Sequence, residues 1–327
     1  FPDKVKELEM EGARISWDEL TCVGYPVTDE ATEKLCKDIE SFREKAGMSA
    51  NSVKKEQLIN WKILKQSDGQ LLATNAYALL TSDYFPFSKT QCAVFKGADR
   101  VVFLDKREFT GPVYNQIEEA VDFVLRNIRL GATIGGLVRK EKYELPPEAI
   151  REMIINAHCH RNLLDESCIQ VAVYDDRLEV TSPGGLYNGL TYEEIMNGHS
   201  KIRNKGIANI FSQMGLVEAW GSGIKRILNA AEEYGLPKPK FQEFDNMFRV
   251  ELFRNSFPMI NEKENIGEAS EKHRRSIGET SEVAWRTDLN DTQQKIIKLL
   301  SEDHQLSAVK LAEKIGVASR NIENNIK

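Results

Sequence analysis

The segment REMIINAHCHRN, residues 151–162, decides how this chain is read. Leu145-Pro146-Pro147-Glu148 before it is a helix start, with prolines in the first turn and an acid at the positive end of the dipole. Ile150, Met153, Ile154 and Ala157 recur at helical spacing and form a core-facing stripe. Glu152 and Asn156 are four apart and share one edge of that helix, and His160 continues the row. A solvated edge would explain such a row. So would a binding site: a buried amide without partners costs about 1–3 kcal/mol, which a ligand or metal ion would offset.

Three features lie downstream. The first is SPGGL, 182–186, at the end of a strand, where paired glycines permit positive φ or close backbone approach; alone it reads equally as a plain turn. The second is WGSGIKRI, 220–227, with Gly221 and Gly223 just before a helix, where free N–H groups and the dipole suit phosphate. A simple helix-start turn is its bland alternative. The third is the polar loop HSKIRN, 199–204, whose Lys201 and Arg203 can meet phosphate charge.

The surrounding chain has 327 residues, 41% hydrophobic and 29% charged, as expected of a globular protein with two or three domains. Its net charge of −6 argues against broad non-specific nucleic-acid binding but leaves room for a small DNA-reading module. No apolar run approaches a membrane span, so no membrane partner is expected. Five dispersed cysteines read as reduced thiols of a cytoplasmic protein. The start, Phe1-Pro2-Asp3-Lys4, is no signal peptide and lacks Met, which suggests a piece of a longer protein.

Periodicity predicts helices over 29–45, 54–64, 72–80 and 114–130, and strands in QCAVFKG and RVVFLDKREF. From 141 the order becomes helix, two alternating strands (CIQVAVYDD and RLEVTSPGGL), a polar loop over 188–205, two helices, the extended connector LPKPK, and a final strand, MFRVELF. The expected domains are a mixed α/β region over 1–140, an α/β sandwich over 141–254, a linker over 255–288 and a helical module over 289–327.

This order of E-x-x-x-N helix, strand pair, Gly-Gly turn, polar loop and Gly-x-Gly helix resembles the Bergerat fold of the gyrase, histidine-kinase and MutL ATPases. It is closer still to bacterial transcriptional regulators with a Schlafen AlbA-like N-terminal domain and a "divergent AAA" or RecG-like C-terminal domain. The resemblance runs from about Asp3 to Arg254 and is strongest over 146–254. It implies an α+β protein whose residues 1–140 follow an AlbA-like domain. It also implies ATP or a related nucleotide with Mg²⁺ as ligand, the metal held through Asn156. Glu152 matches the general base of some members. Gly184 and Gly185 match the Pro-Gly-Gly turn, Arg203 and Asn204 the lid's Arg-Asn, and Gly221 and Gly223 the second Gly-x-Gly. His160 and Arg161 match its His-Arg pair, with Asn162 where Asp is common. One departure is plain: the wider superfamily places an Asp before its first glycine turn for the adenine amine, and here Thr181-Ser182-Pro183 offers no carboxylate.

Rival readings fare worse. A P-loop motor needs G-x-x-x-x-G-K-[ST], and the chain has no Gly-Lys-Ser or Gly-Lys-Thr. A kinase reading of His160-Arg161-Asn162 lacks the catalytic Asp. Zinc at His158, Cys159, His160 and Cys168 is disfavoured because His158 and His160, two apart on a helix, face different ways.

The C-terminal stretch places Ala312, Gly316 and Ile322 where a helix-turn-helix of the winged type needs a small crossing residue, a sharp turn and a packing residue. Ser319, Arg320, Asn321, Asn324 and Lys327 would then face DNA. The expectation is a DNA-binding transcriptional regulator, acting as a homodimer, with a pocket for a nucleotide or small-molecule effector. The alternatives are a Mg²⁺-dependent ATPase, related to helicases by label only, and a scaffold with a vestigial pocket.

Overall fold

The computed structural model describes residues 2–49, 51–135, 138–217, 221–255 and 308–315. The chain forms two compact units, Phe1–Met259 and Ile260–Lys327.

In the larger unit, α1 (Pro2–Gly12) and a 3-10 turn at Trp17–Glu19 precede α2 (Asp29–Lys45) and α3 (Lys55–Asn60). A hairpin of β1 (Leu64–Ser67) and β2 (Gln70–Ala73) leads into α4 (Asn75–Thr81). Then come β3 (Thr90–Phe95), β4 (Phe103–Phe109), α5 (Val113–Asn127), β5 (Leu130–Gly135), β6 (Val138–Tyr143) and α6 (Pro147–His160). The unit continues with β7 (Ile169–Val173), β8 (Arg177–Pro183), α7 (Tyr192–Met196), α8 (Lys205–Gln213), α9 (Gly223–Glu233), β9 (Lys240–Phe244) and β10 (Met247–Phe253).

Six strands make one mixed sheet in the order β4-β3-β7-β8-β10-β9. Every neighbour is antiparallel except β3 and β7, which run parallel from Thr90↔Ile169 to Val94↔Val173. A parallel pair needs a long crossover, and here it carries α5 and α6 onto one face of the sheet. The sheet therefore crosses position 140, where the sequence suggested a boundary. The core lies under these helices: Ile150, Ile154 and Ile155 of α6 and Ile117, Ala120 and Val124 of α5 are almost fully buried with Cys92, Val171 and Leu178 of the sheet. Gln116 is buried with them and fully employed. It donates to the carbonyls of Ser88 and Gly111 and accepts from the Thr90 hydroxyl, fastening α5 to β3.

The opposite face of the sheet is polar and charged. Glu179 is buried there among Arg100, Arg177 and Arg249. Burial alone would raise its carboxyl, but hydrogen bonds from Arg177 and Arg100 hold it below the usual carboxylate range.

Three expectations are corrected. The helices read over 54–64 and 72–80 are shorter, α3 and α4, because β1 and β2 lie between them. Asp68 and Gly69 both have positive φ, the turn an Asp-Gly hairpin uses, and their signal was overridden by the apolar run of Leu71 and Leu72. The hairpin β5–β6 occupies a stretch given no element. Third, Lys240 begins β9 rather than ending a connector, and Asp245-Asn246, both at positive φ, turn the chain into β10.

In the smaller unit α10 (Ala308–Ile315) is described, with Ala312 buried. The linker over 255–288, Gly316, Ile322 and the DNA-facing set Ser319, Arg320, Asn321, Asn324 and Lys327 lie outside the described residues, apart from Asn255.

Candidate functional site

A cavity of about 460 Å³ opens between α6, α9, the sheet and the segment that follows β8. That volume is typical of a small-molecule pocket. Glu152, Asn156, His160, Gly184, Gly185, Gly221 and Gly223 all line it. Three sequence motifs up to 71 positions apart (223 against 152) thus meet at one place.

Glu152 and Asn156 are adjacent on α6, and the Asn156 Nδ2 donates to Glu152 Oε1 at 3.0 Å. The other carboxylate oxygen is 3.1 Å from the Arg226 guanidinium. Gly223 opens α9 directly against this pair: a Cβ there would run into the Glu152 carboxylate and lie 3.0 Å from Asn156 Nδ2. Only glycine lets α9 start so close. The Ser222 side chain makes no capping bond, so the first-turn N–H groups of α9 keep their affinity for an anion. Gly221 is at φ +66° and meets the carbonyl of Gly198.

The polar stretch 188–205 is partly helical. It contains α7, closed by a capping box in which Thr191 and Glu194 bond each other's backbone N–H. Ile195 is buried, and Lys201 donates to the Asn188 carbonyl at 2.6 Å. His199, Ser200 and Lys201 line the cavity.

Three residues matched to the nucleotide site do other work in this structure. Arg203 donates to the carbonyls of His160 and Gly185 and pairs with Glu7 of α1 at 3.0 Å. Asn204 donates from Nδ2 to the carbonyls of His158 and Arg161 and from its backbone N–H to Cys159. The last carbonyls of α6, which have no partner within the helix, are thus capped by Arg203 and Asn204. Arg161 is buried, donates to the carbonyls of Phe87 and Ser167, and lies over the Phe87 ring. Burial pushes its guanidinium down to about 10. None of the three lines the cavity. Gly184, at φ +95°, is where the chain turns beneath the Arg203 guanidinium and the Asn162 side chain.

His160 lines the cavity, while His158 bonds Thr90 on the core side. Burial, then the Arg203 charge, holds the His160 imidazole down at about 4, so it is neutral at pH 7. Among the described residues no cluster of three His, Cys, Asp or Glu side chains could hold a metal ion. A Mg²⁺ site would therefore rest on the Asn156 carbonyl oxygen and a ligand's own oxygens. That donor set fits a hard cation brought in by phosphate.

The sheet side of the cavity lining is largely apolar. Val180, Val250 and Phe241 form one cross-strand row, and Ser182 and Phe248 the next. These walls suit a flat heterocycle, with the Ser182 hydroxyl in the row where the superfamily's carboxylate is absent. Phe241, Phe248 and Arg226 were missed in the sequence. Phe241 sits on β9, which was not read, Phe248 on a strand read without its partner, and Arg226 is placed only by the packing of α9 on α6.

Residues 166–252 match the family described as "Putative ATP-dependent DNA helicase recG C-terminal". The match contains both glycine motifs and begins after α6, and it implies a Bergerat-like fold for this part of the chain. No curated protein is similar in sequence to this chain. Among solved structures, the DIP2311 protein of Corynebacterium diphtheriae is similar at 18% identity with a TM-score of 0.61. The likeness covers 97% of this chain and 61% of that one, so this chain spans under two thirds of its length. At that identity the likeness is one of fold. No helix among the described residues is long and apolar enough to cross a membrane.

Proposed function

We propose that the cavity binds ATP or a related nucleotide with Mg²⁺, and that the chain is a DNA-binding transcriptional regulator for which this ligand is the effector. The observation that carries the reading is the meeting of Glu152, Asn156 and Gly223 at the junction of α6 and α9, in the lining of a cavity that also has apolar walls. The match to a family described as ATP-dependent supports it. The phosphates would lie at the start of α9, and Mg²⁺ would supply charge neutralisation beside Asn156. Hydrolysis is the second reading, favoured by Glu152 in the cavity lining, where it would serve as general base.

A thermal-shift titration checks the ligand. ATP at millimolar concentration should raise the melting midpoint by several degrees with Mg²⁺ and by less without it. Release of phosphate at well under one turnover per minute would mark an effector site, and steady turnover would mark the enzyme. No shift with any nucleotide would leave a scaffold with a vestigial pocket.

The DNA half of the proposal rests on α10 and its buried Ala312, the first helix of the proposed reading motif. With near-balanced charge, one module should bind weakly, and a homodimer on a paired site should supply useful affinity. Arg320→Ala should weaken binding in a gel shift about tenfold or more if that side chain reads a base edge. An unchanged shift on a specific site would remove the recognition role.

A further inference from the structure

Glu152 is held in a way that bears on both readings of the pocket. Its side chain is 11% exposed, and its two oxygens are taken by Asn156 and by Arg226. A carboxylate gripped by a guanidinium has fewer lone pairs for a water. Arg226 stands three residues after Gly223, in the first turn of α9, and its side chain is one-third exposed. It is therefore close to the helix N-terminus where an anion would settle. A phosphate group offers more charge and more acceptor oxygens to the guanidinium fork than one carboxylate does.

We infer that Arg226 is a latch that couples Glu152 to phosphate occupancy, an inference that rests on the nucleotide reading above. Without ligand, Arg226 holds Glu152. Phosphate at the start of α9 draws the guanidinium away, and Glu152 is released to hold a water. In a hydrolytic cycle that water's oxygen bonds to the terminal phosphorus and its proton passes to Glu152. The bond to the bridging oxygen breaks, and the nucleoside diphosphate leaves with the bonding pair. Arg226 is thus a positioning residue, and its competition with the ligand leaves a signature in binding as well as in turnover.

The test is a double-mutant cycle on the full chain with Glu152→Gln, Arg226→Met and the pair, read by calorimetric titration of the β,γ-imido analogue of ATP with Mg²⁺. Glu152→Gln frees Arg226 for phosphate and should tighten binding about tenfold. Arg226→Met should weaken it about tenfold, and adding Glu152→Gln to Arg226→Met should then give no gain. Melting of the ligand-free proteins reads the same pair: Arg226→Met alone should lower the midpoint by several degrees, and the double variant should recover most of it. Equal gains from Glu152→Gln in both backgrounds would show simple charge repulsion and overturn the latch, with the nucleotide reading intact. No binding by any of the four proteins would overturn the nucleotide reading, and the phosphate-driven latch with it, even where melting shows the ligand-free pair to be coupled.

Discussion

Asn156→Ala should abolish Mg²⁺-dependent nucleotide binding, with a loss of at least a hundredfold in affinity, about 2.7 kcal/mol. Asn156 is the lining residue of α6 that offers a neutral carbonyl oxygen next to a carboxylate. The chain places no cluster of acids or histidines to take its place among the described residues. Its own contribution to folding is small. Nδ2 makes one bond to Glu152, which keeps Arg226 as partner, so unfolding free energy should change by about 1 kcal/mol or less. The measurement is titration with and without Mg²⁺ alongside urea unfolding. Loss of Mg²⁺-dependent binding with stability retained is the expected pair of results, and retained binding would remove Asn156 from the site.

Arg203→Met should do the reverse, costing about 3–5 kcal/mol of stability whether or not ligand is present. The guanidinium is buried against Glu7, caps the His160 carbonyl and holds the Gly185 carbonyl. Its loss removes the Arg203 ion pair from buried Glu7 on α1 and the cap from the His160 carbonyl. Urea unfolding of the ligand-free protein reads this directly. A phosphate-binding lid residue would instead leave the ligand-free unfolding curve where it was.

The comparison of Asn156 with Arg203 shows what the sequence made legible. Helix α6 was readable because proline, an acid and a four-residue apolar rhythm agree on it. The row of Glu152, Asn156 and His160 followed from helical spacing alone, and all three line the cavity. Arg203 was read as a phosphate ligand from its motif, yet its partners lie on α1, at the end of α6 and in the glycine turn. Those contacts span 196, 43 and 18 positions, and no local pattern encodes them. Arg226 was hidden for the same reason. The hairpins failed differently: Asp68-Gly69 and Asp245-Asn246 carry turn signals, but short apolar strands such as Leu71–Ala73 are indistinguishable from helix by periodicity.

The parallel pairing of β3 with β7 limits how this sandwich can be handed between proteins. The stretch 166–252 that matches the family begins one helix too late to bring Glu152 and Asn156 with it, and it leaves β3 behind. A piece cut at those limits would present β7 as a bare edge of Val and Ile, a template for recruiting strands from other copies. That edge would favour association between copies of the piece. The transplantable module therefore begins before Thr90, and recombination that respected the family's limits alone would part the pocket from half of its walls.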